Sequence, residues 1–366
     1  MALPKTPSIV LYGYESSTFT LKVRLALRIK QIPYKFVTVP SMMPRPALRN
    51  TFNLTYRKIP VLTIGRDLYC DTSLIVEALE HFFPASEGYR SLYPPTADGR
   101  DYRPLIRGFA SYWTDRPLFR VTTGLMPASI WRSAFGRDRE GLIGHKIDPD
   151  KLEKKLPENL SRLDMHLSML EPLFAGNGGN GAFVFSTRSP SLADISLYYQ
   201  LEWGTDMASG RNQSNLTGGE TKDTDTEGVK PVFNSQRYPG LSAWYKMFKN
   251  YVDALPAVEE KVESIEAVVK EIQDSPTLGP KSLLLPTPNT AQAELDRKCG
   301  LTDGALVSIA PDDTGRDDPT VGTLVALSPE EVVIKPQKLG PPAVIDVRIH
   351  FPRLAFVVRP VRQEKL

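Results

Sequence analysis

The stretch IVLYGYESSTFTLKVRLAL, Ile9–Leu27, decides the fold of this chain. Its first five residues, Ile9–Gly13, are apolar or glycine and predict a short buried strand. The apolar residues from Leu21 onward recur at helical spacing, and the polar residues Glu15–Thr18 stand between the two elements. The sequence therefore predicts a strand that turns directly into a helix.

The turn between this strand and helix carries three hydroxyl residues, Ser16, Ser17 and Thr18. The first amides of a helix lack intrahelical acceptors, so a hydroxyl placed there lies where an anion is stabilised. We take Ser17 as the candidate reactive hydroxyl. The alternative is that one of the three residues only caps the helix, and this stretch alone leaves both interpretations open.

Composition bounds the class of protein. A chain of 366 residues predicts two or three domains whose cores need no disulfides. Two cysteines make no disulfide framework and the N-terminus shows no signal peptide, so we expect a cytoplasmic protein. No stretch approaches the length of a membrane span, and no metal site is predicted.

The charge is distributed unevenly along the chain. The net charge is +3, but residues 1–84 hold eleven Lys or Arg against five Asp or Glu. This excess favours a small anionic ligand for the first domain, with a solvated basic surface as the alternative. The basic residues are scattered and no aromatic-basic recognition motif accompanies them, which argues against a nucleic-acid partner.

The residues after the first helix extend the same pattern. Tyr34–Val39 predicts a second, parallel strand. Lys58–Leu62, KIPVL, places a proline at the entry of a short strand, where the sequence does not show whether the peptide bond is cis or trans. A strand at Leu68–Cys70 follows, and Asp71 or Thr72 then caps a helix.

Residues 8–84 resemble the thioredoxin-fold N-terminal domain of cytosolic glutathione transferases. Serine-type members have a serine six residues before the valine of a K-V-R-L-A-L helix, which selects Ser17 by counting back from Val23. The cis-proline motif of the family resembles Lys58–Leu62, and its acid-serine pair corresponds to Asp71–Thr72. Two residues depart from the family pattern: Thr18 replaces a proline, and Asp71 is one methylene shorter than the usual glutamate.

The resemblance implies glutathione as cofactor, bound by six residues at strand ends: Ser17, Lys58, Ile59, Pro60, Asp71 and Thr72. Ser17 would donate to the glutathione sulfur and favour thiolate over thiol. The main chain of Ile59 would pair with the cysteinyl backbone, and Lys58 is a candidate for the carboxylates of glutathione. Thr72 would hold the γ-glutamyl carboxylate and Asp71 the ammonium group.

The resemblance implies an all-α second domain, and the patterning of the following residues is helical. A linker at 85–103 leads to a helical substrate domain at 104–275, with helices at Leu105–Arg116 and Leu152–Leu173 and a capping box at Ser191–Asp194. Helical patterning resumes at Leu241 and again from Val258. His166 is interpreted as a histidine at the edge of the core, with catalysis as the alternative.

The second substrate would lie over Ser17 against the helical domain. Aromatic and arginine residues are the nearest candidates for its lining: Tyr14, Tyr102, Arg107, Tyr112, Trp113 and Arg116. Such residues suit a planar apolar or aromatic small molecule, and they suit an interface between domains equally well. The polar segment 204–236 predicts a mobile insertion, which acts as a lid or is an ordinary surface loop.

The end of the chain changes from helical to alternating patterning. After a second linker at 276–302, strands are predicted at Thr320–Leu327, Val332–Lys335, Ala343–His350 and Leu354–Arg359. We therefore predict a small β-barrel or β-sandwich at 303–366. Its acidic run, residues 312–318, lacks EF-hand spacing and predicts a solvated hairpin turn. Such tails resemble those of fungal glutathione-transferase-like proteins.

Two classes of function fit these features. The first is a glutathione-transferase-like enzyme that conjugates, isomerises or dehydrates an apolar molecule, with a role in secondary metabolism implied by the resemblance to fungal members. The second is a glutathione-independent lyase or dehydratase that uses the same cleft, or a non-catalytic binding or regulatory protein. Because family members usually dimerise, the resemblance also implies a homodimer.

Overall fold

The structure is a computed structural model that describes residues 7–175, 183–223, 234–275, 290–340 and 345–361. The N-terminal part is a thioredoxin-like α/β unit, as predicted. Its elements are β1 (Ile9–Gly13), α1 (Thr18–Lys30), β2 (Tyr34–Thr38), α2 (Pro46–Phe52), β3 (Val61–Ile64), β4 (Asp67–Cys70) and α3 (Thr72–Phe82). Strand β1 is parallel to β2 and antiparallel to β3.

The middle of the chain is helical. Its main helices are α4 (Arg103–Gly108), a π-helical stretch (Phe109–Leu118), α5 (Phe119–Thr123), α6 (Ala128–Arg132), α7 (Ala134–Ile143), α8 (Pro149–Lys154), α9 (Leu156–Leu170), α10 (Pro172–Ala175), α11 (Leu192–Ala208), α12 (Gln213–Thr217), α13 (Pro239–Asp253) and α14 (Ile265–Asp274). The π-helical stretch contains Pro117, which has no N–H for a regular helical bond. The capping box predicted at Ser191 is present at the start of α11.

The C-terminal part is strand-rich, as predicted. After α15 (Thr290–Lys298), the strands are β6 (Leu306–Pro311), β7 (Thr320–Leu327), β8 (Glu331–Pro336), β9 (Arg348–Pro352) and β10 (Phe356–Pro360). Strand β7 has the predicted bounds, whereas β6 was not predicted. The strand expected from Ala343 begins at Arg348, and residues 341–344 lie outside the described ones.

All strands of the described chain belong to one ten-stranded sheet in the order β10-β6-β7-β8-β9-β4-β3-β1-β2-β5. Strand β9 lies parallel to β4, with Asp67 opposite Arg348. The predicted barrel or sandwich at 303–366 is therefore not a separate body. Its strands extend the sheet of the first domain, because β4 offers an edge with unpaired backbone groups.

The faces of this sheet are covered by two hydrophobic clusters. The first joins the helical part to one face and includes Leu11, Leu79 and Leu197. The second includes Val10 and Leu68 from the first domain together with Val332, Ile349 and Phe351 from the last strands. The C-terminal strands thus share a core with the first domain.

Three predictions about connecting segments need correction. The linker 85–103 is partly packed into the core, since Leu92 is fully buried and Tyr93 nearly so. The pattern from Val258 does not start a helix: Glu259–Glu260 form the short strand β5, beside β2, and the helix begins at Ile265. The linker 276–302 contains helix α15, while residues 276–289 lie outside the described ones.

The insertion predicted at 204–236 is ordered where the structure describes it. Its first residues belong to α11, and Gln213–Thr217 form α12 with buried Gln213, Leu216 and Thr217. The apolar residues that the structure describes in this segment, Met207, Ala208 and Leu216, are all buried, which composition alone does not show. Residues 224–233 lie outside the described part of the chain.

Candidate functional site

The register of the sheet brings the three predicted motifs to one edge. Tyr12 lies opposite Val61, and Val61 lies opposite Cys70. The chain therefore leaves β1 toward Ser17, enters β3 through Pro60 and leaves β4 at Asp71 on the same side of the sheet. Motifs that are separated by tens of residues in sequence share one end of three adjacent strands.

Ser17 is the N-cap of α1. Its Oγ accepts a hydrogen bond from the Thr20 N–H at 3.2 Å, and its own N–H donates to the Tyr14 carbonyl at 3.1 Å. A hydroxyl that accepts one bond keeps its proton available to donate. The capping role and the role of a reactive hydroxyl are thus compatible, and the structure shows the first of them.

Other hydroxyls surround this helix start. Ser16 Oγ, Thr18 Oγ1 and Thr20 Oγ1 are buried and have no hydrogen-bond partner among the described residues. Buried polar groups normally have partners, so a group of unpaired hydroxyls beside the unpaired amides of a helix N-terminus is unusual. Their chemistry suits a polar or anionic group.

The entry into β3 is a cis-proline turn. The Ile59–Pro60 peptide bond is cis, which settles the isomer that the sequence left open. Because β3 begins at Val61, the backbone amide and carbonyl of Ile59 lie outside the strand. This placement is compatible with the backbone pairing that the resemblance implies.

Asp71 caps α3 with an unusual backbone. Its φ is 70° and its ψ is 137°, and its Oδ1 accepts bonds from the Ser73 N–H at 2.9 Å and the Ser73 O–H at 2.6 Å. A non-glycine residue in such a region costs on the order of 1–3 kcal/mol, and such residues cluster at ligand-binding sites. Thr72 follows as the first helical residue and is buried.

Lys58 is paired within the chain. Its Nζ lies 2.6 Å from Asp313 Oδ1 in the turn between β6 and β7. Burial alone would raise the pKa of the Asp313 carboxyl, but the charge and hydrogen bond of Lys58, the Thr314 amide and the charge of Arg116 together lower it. The acidic run at 312–318 is a hairpin turn as predicted, yet it is docked on the first domain rather than fully solvated.

The same acidic turn is held at further points. Asp318 pairs with Arg57 at 3.3 Å, and Arg57 also pairs with Asp138 of α7 at 3.1 Å. The Gly315 N–H donates to the Leu142 carbonyl at 2.7 Å. The turn therefore bridges the first domain and the helical domain beside Lys58.

The six residues proposed to line a second-substrate site do not form one group. Tyr14 lies near the predicted site: the Arg139 guanidinium donates to its hydroxyl at 3.5 Å, and its ring packs on a third apolar cluster that contains Phe135 and Trp203. Arg116 lies over the ring of Tyr112.

Two of the other proposed lining residues, Tyr102 and Arg107, have partners of their own. Tyr102 packs against Phe185. Arg107 donates to Glu330 at 3.3 Å, in the turn between β7 and β8. The structure thus assigns both side chains to contacts between parts of the fold, which was the alternative left open by the sequence.

Trp113 and His166 form a pair within the helical part. Trp113 Nε1 donates to His166 Nδ1 at 3.1 Å, and burial lowers the pKa of His166. A largely buried imidazole that accepts a bond from an indole is the core-edge histidine favoured by the sequence. No catalytic partner faces it among the described residues.

Sequence reasoning missed several residues of this region. Arg45 is buried and its guanidinium donates to the Pro40 and Ser41 carbonyls at 2.8 Å each, so that it fastens the loop before α2. Burial lowers the pKa of Arg45 to about 10. The proline-flanked arginine was visible in the sequence, but its partners are carbonyls, which leave no sequence signal.

Asn215 of α12 was missed as well. Its Oδ1 accepts a hydrogen bond from the Ser16 N–H at 2.9 Å, and the Ser41 hydroxyl donates to the Leu216 carbonyl at 2.7 Å. Helix α12 is therefore docked on the turn that carries Ser17. No local pattern indicates a contact between residues almost 200 positions apart.

The described residues provide neither a metal-binding group of acidic, histidine or cysteine side chains nor a membrane-spanning helix. No group of three or more His, Cys, Asp or Glu side chains is placed to hold a metal ion. None of the helices in this part of the chain combines the length and apolar character needed to cross a membrane.

Comparisons with known proteins were made for the sequence and for the fold. Residues 11–87 match the family described as glutathione S-transferase, N-terminal domain. Residues 123–220 match a domain of unknown function (DUF7962). A curated relative from Solanum tuberosum, a probable glutathione S-transferase, is 29% identical over 132 residues, which cover 36% of this chain and 52% of that protein. The chain thus spans about half the length of this relative.

A solved structure is similar over almost the whole chain. It is a GST-like protein from Pseudomonas syringae, with a TM-score of 0.62, 25% identity, and coverage of 97% of this chain and 100% of that one. Coverage this high includes the C-terminal strands, which therefore have a counterpart outside fungi. The chain is accordingly similar to glutathione S-transferases in the sequence of residues 11–87 and in its fold.

Proposed function

We propose that this chain binds glutathione and that Ser17 activates the glutathione thiol for reaction with an apolar or aromatic small molecule. The observation that carries the proposal is the geometry of Ser17: its Oγ caps α1 by accepting from Thr20, and its hydroxyl proton remains free to donate beside the helix N-terminus. Lowering a thiol pKa by about two units requires roughly 2.7 kcal/mol. A charge-assisted hydrogen bond and a helix terminus together supply energies of that size.

The other glutathione contacts are proposed from the strand ends. Ile59 before the cis Pro60 is assigned to the cysteinyl backbone, and Asp71 and Thr72 to the γ-glutamyl end. The unusual φ of Asp71 supports this assignment. Because one Asp71 oxygen already accepts two bonds from Ser73, the other oxygen is the one assigned to the ammonium group.

The reaction is proposed as conjugation, isomerisation or dehydration. The aromatic and methionine side chains beside Tyr14 in the third apolar cluster support an apolar or aromatic substrate. A place in secondary metabolism, a kinship with fungal members and a cytoplasmic location stay predictions. Metabolite profiling of a strain that lacks the protein tests the first of these, since loss of an enzyme makes its substrate accumulate.

Calorimetry with glutathione and the variant Ser17→Ala tests the function. We expect wild-type protein to bind glutathione and to lower its thiol pKa, and Ser17→Ala to raise that pKa by about one to two units while the fold persists. Ser264→Ala is the matched control, because it removes another N-cap hydroxyl, which accepts from the Ala267 N–H at the start of α14, and should leave the thiol pKa unchanged. Absence of both heat and thermal shift with millimolar glutathione would rule out glutathione use.

A second candidate function is a glutathione-independent lyase, dehydratase or binding protein that uses the same cleft. The specific observation in its favour is the Lys58–Asp313 ion pair. Lys58 is the cation assigned to the glutathione carboxylates, and in the structure it is already paired with Asp313. The variant Asp313→Asn separates the two candidates. If Lys58 binds glutathione, the variant binds glutathione about two- to fivefold more tightly, as expected for release of a partly exposed ion pair.

The control for that experiment is Asp318→Asn, which releases Arg57 instead of Lys58. It loosens the same turn without freeing the assigned cation, so its glutathione affinity should stay at the wild-type value. Failure of wild type and Asp313→Asn alike to bind glutathione would select the second candidate.

A homodimer is also proposed. Four exposed apolar side chains support it: Leu105 on α4, Tyr112 on the π-helical stretch, and Met165 and Met169 on α9. The hydrogen bond from Trp113 to His166 joins α9 to that stretch. Light scattering of wild type and of Met169→Lys tests this surface. We expect the wild type to have the mass of a dimer and the variant to dissociate, whereas a wild-type monomer would refute the proposal.

A further inference from the structure

The amide of Ser16 is held by a side chain from the helical domain. Its N–H donates to Asn215 Oδ1 at 2.9 Å, and Ser16 is only 3% exposed. The next residue, Ser17, donates its own N–H to the Tyr14 carbonyl at 3.1 Å. The turn that delivers Ser17 to the start of α1 is therefore fixed at two points, one within the turn and one from the other domain.

Asn215 is placed by a docked helix rather than by a free loop. Leu216, its neighbour, is buried in the third apolar cluster and accepts at its carbonyl from the Ser41 hydroxyl. Near the start of α12, the Asp223 carboxylate accepts from the Ser214 N–H at 2.8 Å. Because the helix is held on both sides of Asn215, the amide oxygen is presented to Ser16 from a fixed backbone.

The chemistry of the acceptor matters at this place. An aspartate would accept the same bond, but its negative charge beside the N-terminus of α1 would oppose the formation of an anion there. An asparagine supplies the acceptor without the charge. Asn215 therefore provides geometry while leaving the electrostatics of the helix start favourable for a thiolate.

We propose that Asn215 is a positioning residue: by holding the Ser16 amide it sets the direction of the Ser17 hydroxyl toward the bound thiol. This inference rests on the proposed function of Ser17. It extends that function to α12. Leu216 of this helix packs in the third apolar cluster and its neighbour Asn215 holds the turn before Ser17, so the packing of that cluster affects thiol activation. Neither residue touches the reacting atoms, so their effect passes through the turn.

The test uses the full chain and compares Asn215→Ala, Asn215→Asp and a control, Asn159→Ala. Asn159 Nδ2 donates to the Gly124 carbonyl at 2.9 Å, so the control loses a bond between a side chain and the main chain elsewhere in the helical domain. Two quantities are measured: the hydrogen-exchange rates of the Ser16 and Ser17 amides without ligand, and the ultraviolet absorbance of bound glutathione thiolate as a function of pH.

The expected results differ between the variants. In Asn215→Ala the Ser16 amide exchanges its hydrogen faster, and the thiolate fraction of bound glutathione at neutral pH falls about fivefold. The affinity for glutathione changes less than about twofold. The loss is limited because Asn215 is exposed and water can replace it as acceptor. Asn215→Asp restores slow exchange at Ser16 but keeps the thiolate fraction low, and the control changes neither quantity.

Two results would overturn the inference while leaving the proposed function intact: unchanged exchange at Ser16 in Asn215→Ala, or an unchanged thiolate fraction in that variant. A wild-type thiolate fraction in Asn215→Asp would overturn the electrostatic part. If wild-type protein binds no glutathione, the proposed function fails first and the inference about the thiol fails with it.

Discussion

At the scale of single residues, Lys22 links the two domains through a buried charge. It lies on α1 with 1% of its side chain exposed, and its Nζ donates to Asp115 Oδ2 at 2.6 Å. The Tyr199 hydroxyl donates to the other oxygen of the same carboxylate. Removing one partner of a buried ion pair leaves the other uncompensated, which costs far more than the pair contributes.

We therefore expect Lys22→Ala to lower the free energy of unfolding by about 3–5 kcal/mol, measured by urea denaturation. The double variant Lys22→Met, Asp115→Leu should recover most of this loss, because both charges are then gone. The matched control is Lys249→Ala, which breaks an exposed pair with Asp253 and should cost no more than about 0.5 kcal/mol. Equal losses for Lys22→Ala and the control would contradict this account.

Single residues also show how far the sequence predicts the candidate site. Ser17 could be selected because the strand, the turn and the helix are local features. Asp115 and Asn215 could not, because their partners Lys22 and Ser16 lie 93 and 199 positions away and no local pattern records such contacts. Residues that position a site through long-range contacts therefore cannot be predicted from the sequence before the fold is known.

At the scale of elements, the junction between β4 and β9 is built around a buried histidine. His350 Nε2 lies 2.9 Å from Asp67 Oδ1, and its Nδ1 lies 2.6 Å from Glu331 Oε1. Arg348 Nε donates to the same Asp67 oxygen at 2.6 Å, and the ring of Tyr69 packs on the imidazole. Both ring nitrogens can donate to carboxylates only in the imidazolium form.

This junction predicts a dependence of stability on pH. Burial alone would lower the pKa of His350, but the hydrogen bonds and the negative charges of Asp67 and Glu331 together raise the pKa above its ordinary value. A raised pKa in the folded state means that the stabilisation is complete below about pH 6.5 and is lost as the pH rises through the higher value. We expect the free energy of unfolding to fall over that window, as measured by urea denaturation at a series of pH values.

The control for the pH dependence uses two of the other three histidines. A variant with His81→Gln and His145→Gln should keep the wild-type dependence, because neither residue lies at the junction. A nuclear magnetic resonance titration of the His350 ring in the folded protein should place its pKa above about 6.5. A ring that titrates below this value, or a dependence that disappears in the double variant, would show that the junction is not the origin.

The elements also divide by how well the sequence predicts them. Strand β7 has a long, regular pattern and was predicted with its observed bounds, whereas the single helix predicted at Leu152–Leu173 is divided into the end of α8, the whole of α9 and the start of α10. Strand β5 was missed because it has two residues, both exposed glutamates, so it carries no apolar signal. Helix α12 was missed because five residues give little more than one helical turn.

At the scale of the whole molecule, the main feature is the continuity of the sheet. The alternating sequence pattern predicted the last strands but not the strand with which they pair, because any exposed strand edge offers the same unpaired backbone groups. In the structure, β9 pairs with the edge strand β4. Ile349 and Phe351 of β9 lie in one hydrophobic cluster with Val10 and Leu68 of the first domain. The molecule is thus expected to unfold as a unit rather than lose its C-terminal strands first.

The variant Phe351→Ala tests this unity. Phe351 is fully buried in the shared cluster, and removing a buried phenylalanine side chain costs about 3–5 kcal/mol. All four tryptophans lie between residues 113 and 244, so their fluorescence reports on the helical part only. If the core is shared, substitution in β9 should lower the urea midpoints of tryptophan fluorescence and of far-ultraviolet circular dichroism together.

The control substitution is Leu339→Ala, which shortens a side chain that is 41% exposed in the same C-terminal part and should shift both midpoints only slightly. A tryptophan midpoint that stays at the wild-type value in Phe351→Ala, while circular dichroism shows an additional early transition, would mean that the last strands unfold independently. In that case residues 303–366 would be a separate unfolding unit, as the predicted domain boundary at 303 implies, even though their strands continue the sheet. Coincident shifts would instead show that the C-terminal strands stabilise the edge of the domain that carries Ser17.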